Sequence, residues 1–505
     1  MKRALFSLYS LEKAVEFADV LSRLGWEIIA SRETVQLLSK RGIPVIDVAD
    51  FTGIHEDYGF PPTLHPKIEK YLTSSKGPRI DLVYVLPYPL SVGNDIGGRT
   101  LLALAAKGKR IPVMSVSDME NVTEHLKNKK MLPWALRESL INKANALIAS
   151  HYNDLVSDRE SYDFLSGRFL YPLLNGENPY QVPAHLFSVK RKDALSLPDF
   201  RQISGERPCF TNLADADSIL QTISLAAEAF KTRYRKAPFI CIAAKHGNPC
   251  GMGVSWNDPA QAVEKALFGN PKSIWGGEVI VNFSIDDRLA RQLYKSKKRK
   301  EMLSDSAWML DVILASNFSR GALRILGKRR GRKLLENEAL REPFLPQTKF
   351  AYRFVRGGFL RQPPHHYVLD FKKARTTGKG LDKQQMDSLI VAWSVAWSSN
   401  HGGNEIALAK DRQLIGAGGG PSTIEAAQIA LQRAESYGHE PRGGVFAANA
   451  FFPFTDVPLV LAGAGLDAGL VPSGGRRETL VKDYFQKKNL SMVYLDEPYR
   501  GFSRH

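Results

Sequence analysis

Lys245 and His246 place a cation and an imidazole side by side at the end of an apolar run, a pairing that suits proton transfer. The run is FICIAA, and glycines and a proline follow the pair within FICIAAKHGNPCGMG, residues 239–253. Inside a strand the two side chains would point to opposite faces, but at a broken strand end they can converge on one ligand. The ammonium disfavours a second positive charge, which would leave the imidazole neutral and able to accept a proton. Spacing alone favours a structural strand end over a catalytic pair.

One glycine-rich motif and one cysteine-containing motif fit neither a phosphate loop nor a metal site. GAGGGPS, residues 416–422, lacks both the Gly-Lys-Ser/Thr ending of a Walker loop and the third glycine of a dinucleotide loop. We interpret it as a glycine turn between a strand and a helix. Cys250 follows a proline, as in zinc deaminases, but no second cysteine comes two residues later and no His-x-Glu precedes it. This absence weakens a deaminase hypothesis.

The chain has 505 residues and a formal net charge of +17. Two basic clusters contribute strongly, KSKKRK at 295–300 and GKRRGRK at 327–333, and neither is interleaved with the aromatic residues that stack on bases. The charge therefore favours solvated surfaces or an acidic small molecule over nucleic acid. Three cysteines without paired spacing and the lack of a long apolar run predict a cytoplasmic protein that does not enter a membrane.

Strands and helices must position these side chains. The first 150 residues alternate strand and helix patterns. A helical stripe at Leu11, Val15, Ala18 and Leu21 follows the first strand pattern. Strands separated by single helices predict a parallel sheet with ligands at the strand carboxyl ends. The predicted strands are ALFSL, EIIAS, IPVIDVA, DLVYVLPY, IPVMSV and ANALIAS.

The remainder of the chain predicts a connector and two further α/β regions. We place a first domain at 1–150, a connector at 151–206, and further domains at 207–364 and 365–505. The last begins with the helix KQQMDSLIVAWSVAWSS, in which Trp393 and Trp397 are predicted core residues. Ser422 and Glu425 predict a capping box for a later helix.

AAKHGNPCG resembles the Lys-His-x-Asn-Pro-Cys-Gly signature of the AICAR transformylase/IMP cyclohydrolase family, where AICAR is 5-aminoimidazole-4-carboxamide ribonucleotide. Further segments resemble the same family, in the same order along essentially the whole chain. They are NGENPYQ (175–181), TNLADAD (211–217), SIWGGEVIVN (273–282), VRGGFL (355–360), AFFPFTD (450–456), VPSGG (471–475) and a Tyr-Arg-Gly-Phe near the C-terminus.

The resemblance implies an α/β protein with an N-terminal methylglyoxal-synthase-like parallel-sheet domain followed by two cytidine-deaminase-like α/β domains. It implies a formyl donor, 10-formyltetrahydrofolate, a small-molecule amine acceptor, and no metal in the chemistry. It also implies a homodimer whose transformylase sites are built from both subunits.

The resemblance also assigns roles to individual residues. His246 matches the position of the family's base. Lys245 matches the position that supplies positive charge at the developing oxyanion or the leaving nitrogen, and Asn404 matches the residue that orients the substrate. Substrate-binding positions are Asn175, Gly176, Asn178, Asn212 and Arg500. Folate-binding positions are Phe451, Asp456, Gly276 and Gly277, and cyclohydrolase positions are Tyr88, Asp95 and Lys107.

The N-terminal domain departs from the family at its cyclohydrolase motifs. The phosphate turn Ser-Thr-Gly-Gly-Thr is ASRET here, so Arg32 and Glu33 replace two glycines that let backbone amides approach a phosphate. The family's Lys-Thr-Leu-His-Pro is PTLHP, so Pro62 replaces the lysine assigned to cyclisation, and Ala103 replaces an arginine. These departures predict that ordinary cyclohydrolase activity is lost.

The transformylase half departs at two arginines that would grip the ribotide phosphate. Leu174 replaces one, and PSTI at 421–424 replaces the family's Gln-x-Ser-Arg. Losing charge-assisted contacts to a phosphate costs several kcal/mol, roughly, if the phosphate still binds there. Our leading hypothesis is therefore a folate-dependent N-formyltransferase whose amino-carboxamide or aryl amine acceptor differs from AICAR. The alternatives are the ordinary bifunctional purine enzyme and a non-catalytic homologue that binds nucleotides or RNA.

Overall fold

The computed structural model describes residues 1–56, 59–129, 131–156, 160–189 and 193–501. The chain divides into two compact units, Met1–Ser166 and Gly167–His505. Among the described residues, no helix combines the length and the apolar character needed to cross a membrane.

The first unit is a parallel sheet covered by helices, as the alternation predicts. Its sheet has the order β3-β2-β1-β4-β5, and each neighbouring pair is parallel. The elements are β1 (Lys2–Leu8), α1 (Ala14–Arg23), β2 (Trp26–Ala30), α2 (Arg32–Lys40), β3 (Ile46–Asp47), α3 (Val48–Thr52), α4 (Pro66–Thr73), β4 (Leu82–Leu86), α5 (Ile96–Lys107), β5 (Ile111–Val113), α6 (Val116–Lys129) and α7 (Trp134–Leu155).

Two strand predictions in this unit need correction. ANALIAS, predicted as a strand, lies inside α7, where only Leu140, Ala144 and His151 are buried. An apolar run of this length fits a strand or part of a helix, and here the helix extends well beyond it on both sides. IPVIDVA forms only the two-residue strand β3, because the Asp47 carboxylate caps the helix that starts at Val48.

The second unit is built on one large mixed sheet. Its elements are β6 (Arg168–Pro172), β7 (His185–Ser188), β8 (Arg201–Ser204), α8 (Phe210–Tyr234), β9 (Phe239–Lys245), β10 (Asn248–Ser255), α9 (Pro259–Leu267), β11 (Glu278–Val281), β12 (Ser284–Ile285), α10 (Asp287–Tyr294), α11 (Lys297–Leu303), β13 (Val312–Ala315), β14 (Asn317–Phe318), α12 (Arg320–Leu326), β15 (Lys333–Glu336), β16 (Ala351–Val355), β17 (Gly358–Gln362), β18 (Arg375–Thr377), α13 (Lys383–Ser398), β19 (Asn404–Lys410), β20 (Gln413–Gly420), α14 (Thr423–Ser436), β21 (Val445–Ala448), α15 (Asp456–Gly463), β22 (Ala468–Pro472), α16 (Glu478–Lys487) and β23 (Ser491–Leu495).

Two halves of similar order meet in the middle of this sheet. In the described part of the chain the strand order is β18-β23-β22-β21-β19-β20-β10-β9-β11-β13-β15-β8. Each half begins with a helix, α8 or α13, and continues through an antiparallel hairpin, β9–β10 or β19–β20, into a second helix. Strands β10 and β20 join the halves, with Gly253 opposite Gln413. Helices α8 and α13 share one hydrophobic core, in which Trp393 and Trp397 are fully buried as predicted.

The glycine-rich stretch of the second half is a strand and not the turn that we predicted. Residues 416–420 lie in β20, where α14 packs closely against them. A Cβ atom on Gly418 would lie 2.5 Å from the carbonyl oxygen of Ala426. The Ser422 hydroxyl accepts the Glu425 N–H and so caps α14, which is one of the two hydrogen bonds of the predicted capping box.

The predicted boundaries of the four segments stay predictions. The large unit starts at Gly167, and strand β8, from the segment predicted as a connector, pairs with β15 at the edge of the large sheet. The predicted border at 364 falls between β17 and β18, whereas the core of the two halves is continuous.

Candidate active site

A two-residue hairpin turn allows Lys245 and His246 to face one ligand. Lys245 ends β9 and pairs with Asn248, the first residue of β10, so His246 and Gly247 form the loop. Both have left-handed backbone conformations, with φ of 76° and 73°, as the favoured two-residue hairpin turns require. The turn removes His246 from the strand alternation and leaves it exposed beside a half-buried Lys245.

Gly276 and Gly277 shape the site around Lys245. The Lys245 ammonium donates a hydrogen bond to the Gly276 carbonyl oxygen. Gly276 has a φ of 66°, and a Cβ atom on Gly277 would lie 2.3 Å from the Ala244 carbonyl oxygen. Side chains at these positions would displace the strand that carries Lys245, which accounts for both glycines on structural grounds.

Buried acids lie beside Lys245. Glu278 is 2% exposed, and burial, followed by the nearby Asp215 carboxylate, raises its pKa to about 9. Burial also raises the pKa of Asp215, and the interactions of its carboxyl group with His246 and Lys245 oppose this rise. Asn212 hydrogen-bonds the Glu278 carboxyl, whose Oε2 atom has no partner among the described residues. At neutral pH the Glu278 carboxyl therefore holds a proton.

A cavity of about 360 Å³ opens beside the hairpin turn and draws its walls from both halves of the large sheet. It carries two cations and two imidazoles, and so suits a polar or anionic ligand. Burial raises the pKa of the Cys250 thiol in its wall to about 12, so this residue supplies no thiolate at neutral pH. The lining residues are Lys245, His246, Asn248, Pro249, Cys250, Gly269, Asn270, Ser273, His401, Leu414, Ile415, Gly416, Ala417, Arg433 and Tyr437.

The loop between α13 and β19 is tied to the hairpin that carries the basic pair. The Asn248 side chain accepts the Asn400 N–H at 2.7 Å and donates to the Asn400 carbonyl oxygen at 3.4 Å. His401 follows, and its Nδ1 lies 2.7 Å from Oε2 of Glu405. These contacts bring a second imidazole to the cavity that contains Lys245 and His246.

Asn404 is the first residue of β19. Its side-chain nitrogen donates to the carbonyl oxygens of Gly420 and Pro421, at 3.2 and 2.9 Å. Asn404 therefore neighbours the His401 loop but is not among the residues that line the cavity.

The predicted folate positions divide between two places. Gly276 and Gly277 lie at Lys245, whereas Phe451 lies under Arg500, whose guanidinium carbon is 5.8 Å from the ring centre. Asp456 starts α15 and accepts the Val457 N–H, with its side chain exposed. The Gly501 N–H bonds the Asn449 carbonyl oxygen and so connects the Arg500 segment to the loop before Asn404 through Asn449.

NGENPYQ forms a tight turn next to the N-terminus of α8. The Gly176 N–H bonds the Gln181 carbonyl oxygen, and the Asn178 side chain bonds the Gln181 amide oxygen at 2.9 Å. The Asn175 carbonyl oxygen accepts the Phe210 N–H, two residues before Asn212. The structure thus brings the predicted substrate residues Asn175 and Asn212 to the same helix end.

In the first unit, the predicted cyclohydrolase positions are only partly brought together. The Tyr88 hydroxyl donates to the Asn94 carbonyl oxygen, and the Asp95 carboxylate caps α5 by accepting the Gly98 N–H at 2.8 Å. Lys107 lies in the last turn of the same helix, roughly 18 Å along its axis from Asp95.

Sequence reasoning did not identify His401, Glu405, Asp215, Glu278 or Arg433. A His-x-x-x-Glu spacing before a strand, and a lone glutamate opening the apolar run EVIV, were the available signals. Arg433 lies at the C-terminal end of α14 and donates to the Ala417 carbonyl oxygen at 2.6 Å. Across the described residues, no group of three or more His, Cys, Asp or Glu side chains could hold a metal ion.

Two family models match the sequence. Residues 105–433 match the model of the AICARFT/IMPCHase bienzyme, and residues 13–115 match the MGS-like domain. The first covers well over half of the chain.

Curated relatives match over nearly the full length. The bifunctional purine biosynthesis protein PurH of Anoxybacillus flavithermus is 30% identical over 542 residues, covering 98% of both chains. The PurH proteins of Petrotoga mobilis and of Neisseria meningitidis serogroup A are each 29% identical, also with 98% coverage of both chains. One solved structure, that of ForH, is 27% identical and covers 31% of this chain and 97% of its own, with a TM-score of 0.27.

Proposed function

Because the chain belongs to the AICARFT/IMPCHase family of folate-dependent formyltransferases, we propose that its Lys245–His246 site transfers a formyl group from 10-formyltetrahydrofolate to the amine of AICAR. The observation that carries this proposal is the hairpin turn that presents both basic side chains to one cavity. The relatives' shared name, which refers to purine biosynthesis, favours AICAR as the acceptor.

The chemistry explains why these residue types are needed. A ring amine beside a carboxamide is a weak nucleophile, and a formamide carbon is a weak electrophile. The new carbon–nitrogen bond forms as the bond to the folate nitrogen breaks; the amine loses one proton and the folate nitrogen gains one. His246 takes the amine proton, directly or through the carboxamide. Lys245 places positive charge at the developing oxyanion or the leaving nitrogen, and Asn404 orients the acceptor.

A changed acceptor is the second candidate function, and it rests on particular residues. Leu174, at a position where the family has an arginine, is 58% exposed, and Pro421–Ile424 provide no arginine either. These departures remove two groups that would hold a phosphate. An amino-carboxamide or aryl amine without a phosphate would not need them.

A formyl-transfer assay separates these possibilities. The chain is supplied with 10-formyltetrahydrofolate and either AICAR, its dephosphorylated riboside or a carbocyclic amino-carboxamide, and tetrahydrofolate release is followed. We expect turnover of AICAR, and a Lys245→Met/His246→Gln variant should lose at least about 100-fold of it. Turnover of the uncharged analogues with AICAR left inert would instead establish the changed acceptor. Absence of transfer to all three would contradict the proposal and favour a non-catalytic binding role.

We further propose that the first unit has lost ordinary cyclohydrolase activity, although the relatives' name favours its retention. The proposal rests on Arg32, Glu33 and Pro62 at the positions of the family's glycines and lysine. With formyl-AICAR as the substrate, the full chain should form no IMP above the uncatalysed rate. Formation of IMP at a rate comparable to formyl transfer would restore the ordinary bifunctional assignment.

The remaining family roles are also part of the proposal. Phe451 and Asp456, with Gly276 and Gly277, would contact the folate, and its acidic glutamate tail suits the basic surface of the chain. Asn175, Gly176, Asn178, Asn212 and Arg500 would contact the acceptor, and two copies of the chain would together complete each site.

A further inference from the structure

His401 and Glu405 form a carboxylate–imidazole pair that the chemistry described so far does not use. Both carboxylate oxygens of Glu405 are engaged by His401: Oε1 accepts its backbone N–H at 2.5 Å, and Oε2 lies 2.7 Å from Nδ1. The Glu405 side chain is 2% exposed and the His401 side chain 14%. A buried carboxylate in this position holds the imidazole in one orientation, with the proton on Nδ1.

The surrounding chain is shaped to hold this pair. Glu405 lies across from Gly419, and a Cβ atom on Gly419 would come within 2.3 Å of Oε1 of Glu405. The Asn449 side chain accepts the Glu405 N–H at 2.8 Å and donates to the Gly403 carbonyl oxygen at 3.0 Å. Asn449 is itself 2% exposed. Each of these contacts limits the freedom of the His401 loop.

The same imidazole lines the cavity that contains Lys245 and His246. Because Nδ1 is occupied by Glu405, Nε2 is the ring nitrogen that remains for a ligand in the cavity. In the neutral imidazole with its proton on Nδ1, Nε2 presents a lone pair, which is a hydrogen-bond acceptor. The cavity wall also presents two cationic groups that can only donate, the Lys245 ammonium and the Arg433 guanidinium.

We propose that His401, oriented by Glu405, is an acceptor-binding residue whose Nε2 receives a hydrogen bond from an N–H of the amino-carboxamide. The inference rests on the proposed function and names a residue that determines which acceptor the site binds. It gives a ligand that bears amine and amide hydrogens an acceptor atom in the same cavity as the cations that attract its oxygens. A purely structural ion pair would not require the ring to lie in the cavity wall.

The variant His401→Asn tests this inference because its side-chain nitrogen can still donate to Glu405 while nothing replaces Nε2. We expect AICAR binding, measured by isothermal titration calorimetry, to weaken about tenfold, and KM for AICAR to rise similarly. The KM for 10-formyltetrahydrofolate and the melting temperature should not change. His366→Asn, at an exposed histidine in the same unit, is the matched control and should bind AICAR as the parent does.

The outcomes separate this inference from the proposed function. If the parent protein transfers formyl to AICAR and His401→Asn binds AICAR with unchanged affinity, the role of His401 is overturned and the formyl transfer stands. If the parent binds neither AICAR nor its riboside, both fail together. Glu405→Gln, whose amide can accept from or donate to Nδ1, should weaken AICAR binding by a smaller factor than His401→Asn. A Glu405→Gln variant that melts at a lower temperature than the parent but binds AICAR with unchanged affinity would also overturn the role.

Discussion

At the scale of single residues, the charge of Lys245 is balanced within a small cluster of side chains. The Lys245 ammonium lies near Asp215 and Glu278, and burial raises the pKa of both carboxyls. A proton held by Glu278 leaves one carboxylate facing one ammonium, so the cluster is close to neutral. The cluster therefore places the Lys245 ammonium at the site without a second, uncompensated buried anion beside it.

Glu278 should make stability depend on pH. Its pKa is about 9 in the folded chain against an ordinary value of 4.5, so below about pH 4.5 the carboxyl is protonated in both states and costs nothing. As the pH rises from 4.5 to 9, the unfolded chain releases this proton and the folded chain keeps it, which lowers the free energy of unfolding. Glu278→Gln should therefore melt at a higher temperature than the parent at pH 8, with little difference at pH 5.

Thermal melting at pH 5, 6.5 and 8 checks this expectation, with the exposed Glu206→Gln as the control. A gap between parent and Glu278→Gln that stays constant across the three pH values would show that Glu278 does not hold a proton. The control should follow the parent at every pH.

The basic pair was predictable from residue types, whereas the second imidazole was not. Lys245 and His246 follow an apolar run directly, and their placement at a turn follows from the neighbouring glycine. Asn248 ties the loop of His401 to the basic pair, and Asn449 holds Glu405 beside that loop; both asparagines lie far away in the sequence. No local pattern carries that information.

At the scale of elements, the two halves of the large sheet use the same packing device. Helices α9 and α14 lie close against β10 and β20 because glycines face them. A Cβ atom on Gly253 would lie 2.2 Å from the Ala262 carbonyl oxygen, and one on Gly418 would lie 2.5 Å from that of Ala426. The central strands carry the hairpin turn and the cavity wall, so this packing fixes the site.

The close packing predicts that Gly253→Ala is destabilising. The added methyl group would collide with the backbone of α9, which cannot move aside as a flexible side chain can. We expect a loss of about 1–3 kcal/mol in the free energy of unfolding, measured by urea denaturation. Gly380→Ala, where no atom lies within 4 Å of the new Cβ and φ is not positive, should change it by less than about 0.5 kcal/mol. Equal effects of the two substitutions would contradict the packing argument.

Element types were predictable where periodicity was strong, and less so where apolar runs were short. The strands and helices around FICIAA and KQQMDSLIVAWSVAWSS follow from their patterns. ANALIAS was ambiguous because seven mostly apolar residues fit either a strand or a piece of a long helix. The glycines at 416–420 suggested a turn. They are needed because α14 packs closely on the sheet, and the local sequence does not show this packing.

At the scale of the whole molecule, an exposed apolar hairpin stands out on the second unit. Within the part of the chain that the structure describes, strands β16 and β17 pair only with each other, and Phe354 and Leu360 on them are 75% and 59% exposed. Apolar side chains exposed together usually mark an interaction surface. The family resemblance predicts a homodimer, and this hairpin lies in one of the segments, VRGGFL, that carry the resemblance.

The hairpin therefore predicts how self-association can be weakened. Sedimentation of the parent chain should give twice the 56.2 kDa of one copy, and Phe354→Asp/Leu360→Asp should shift it toward a single copy, because burying two carboxylates without partners is costly. Formyl transfer by the variant should then fall on dilution if both copies build each site. Leu480→Asp, at an equally exposed leucine on α16, is the control and should remain associated. A variant that sediments as the parent does would place the dimer contact elsewhere, and a parent that sediments as one copy would remove the shared site altogether.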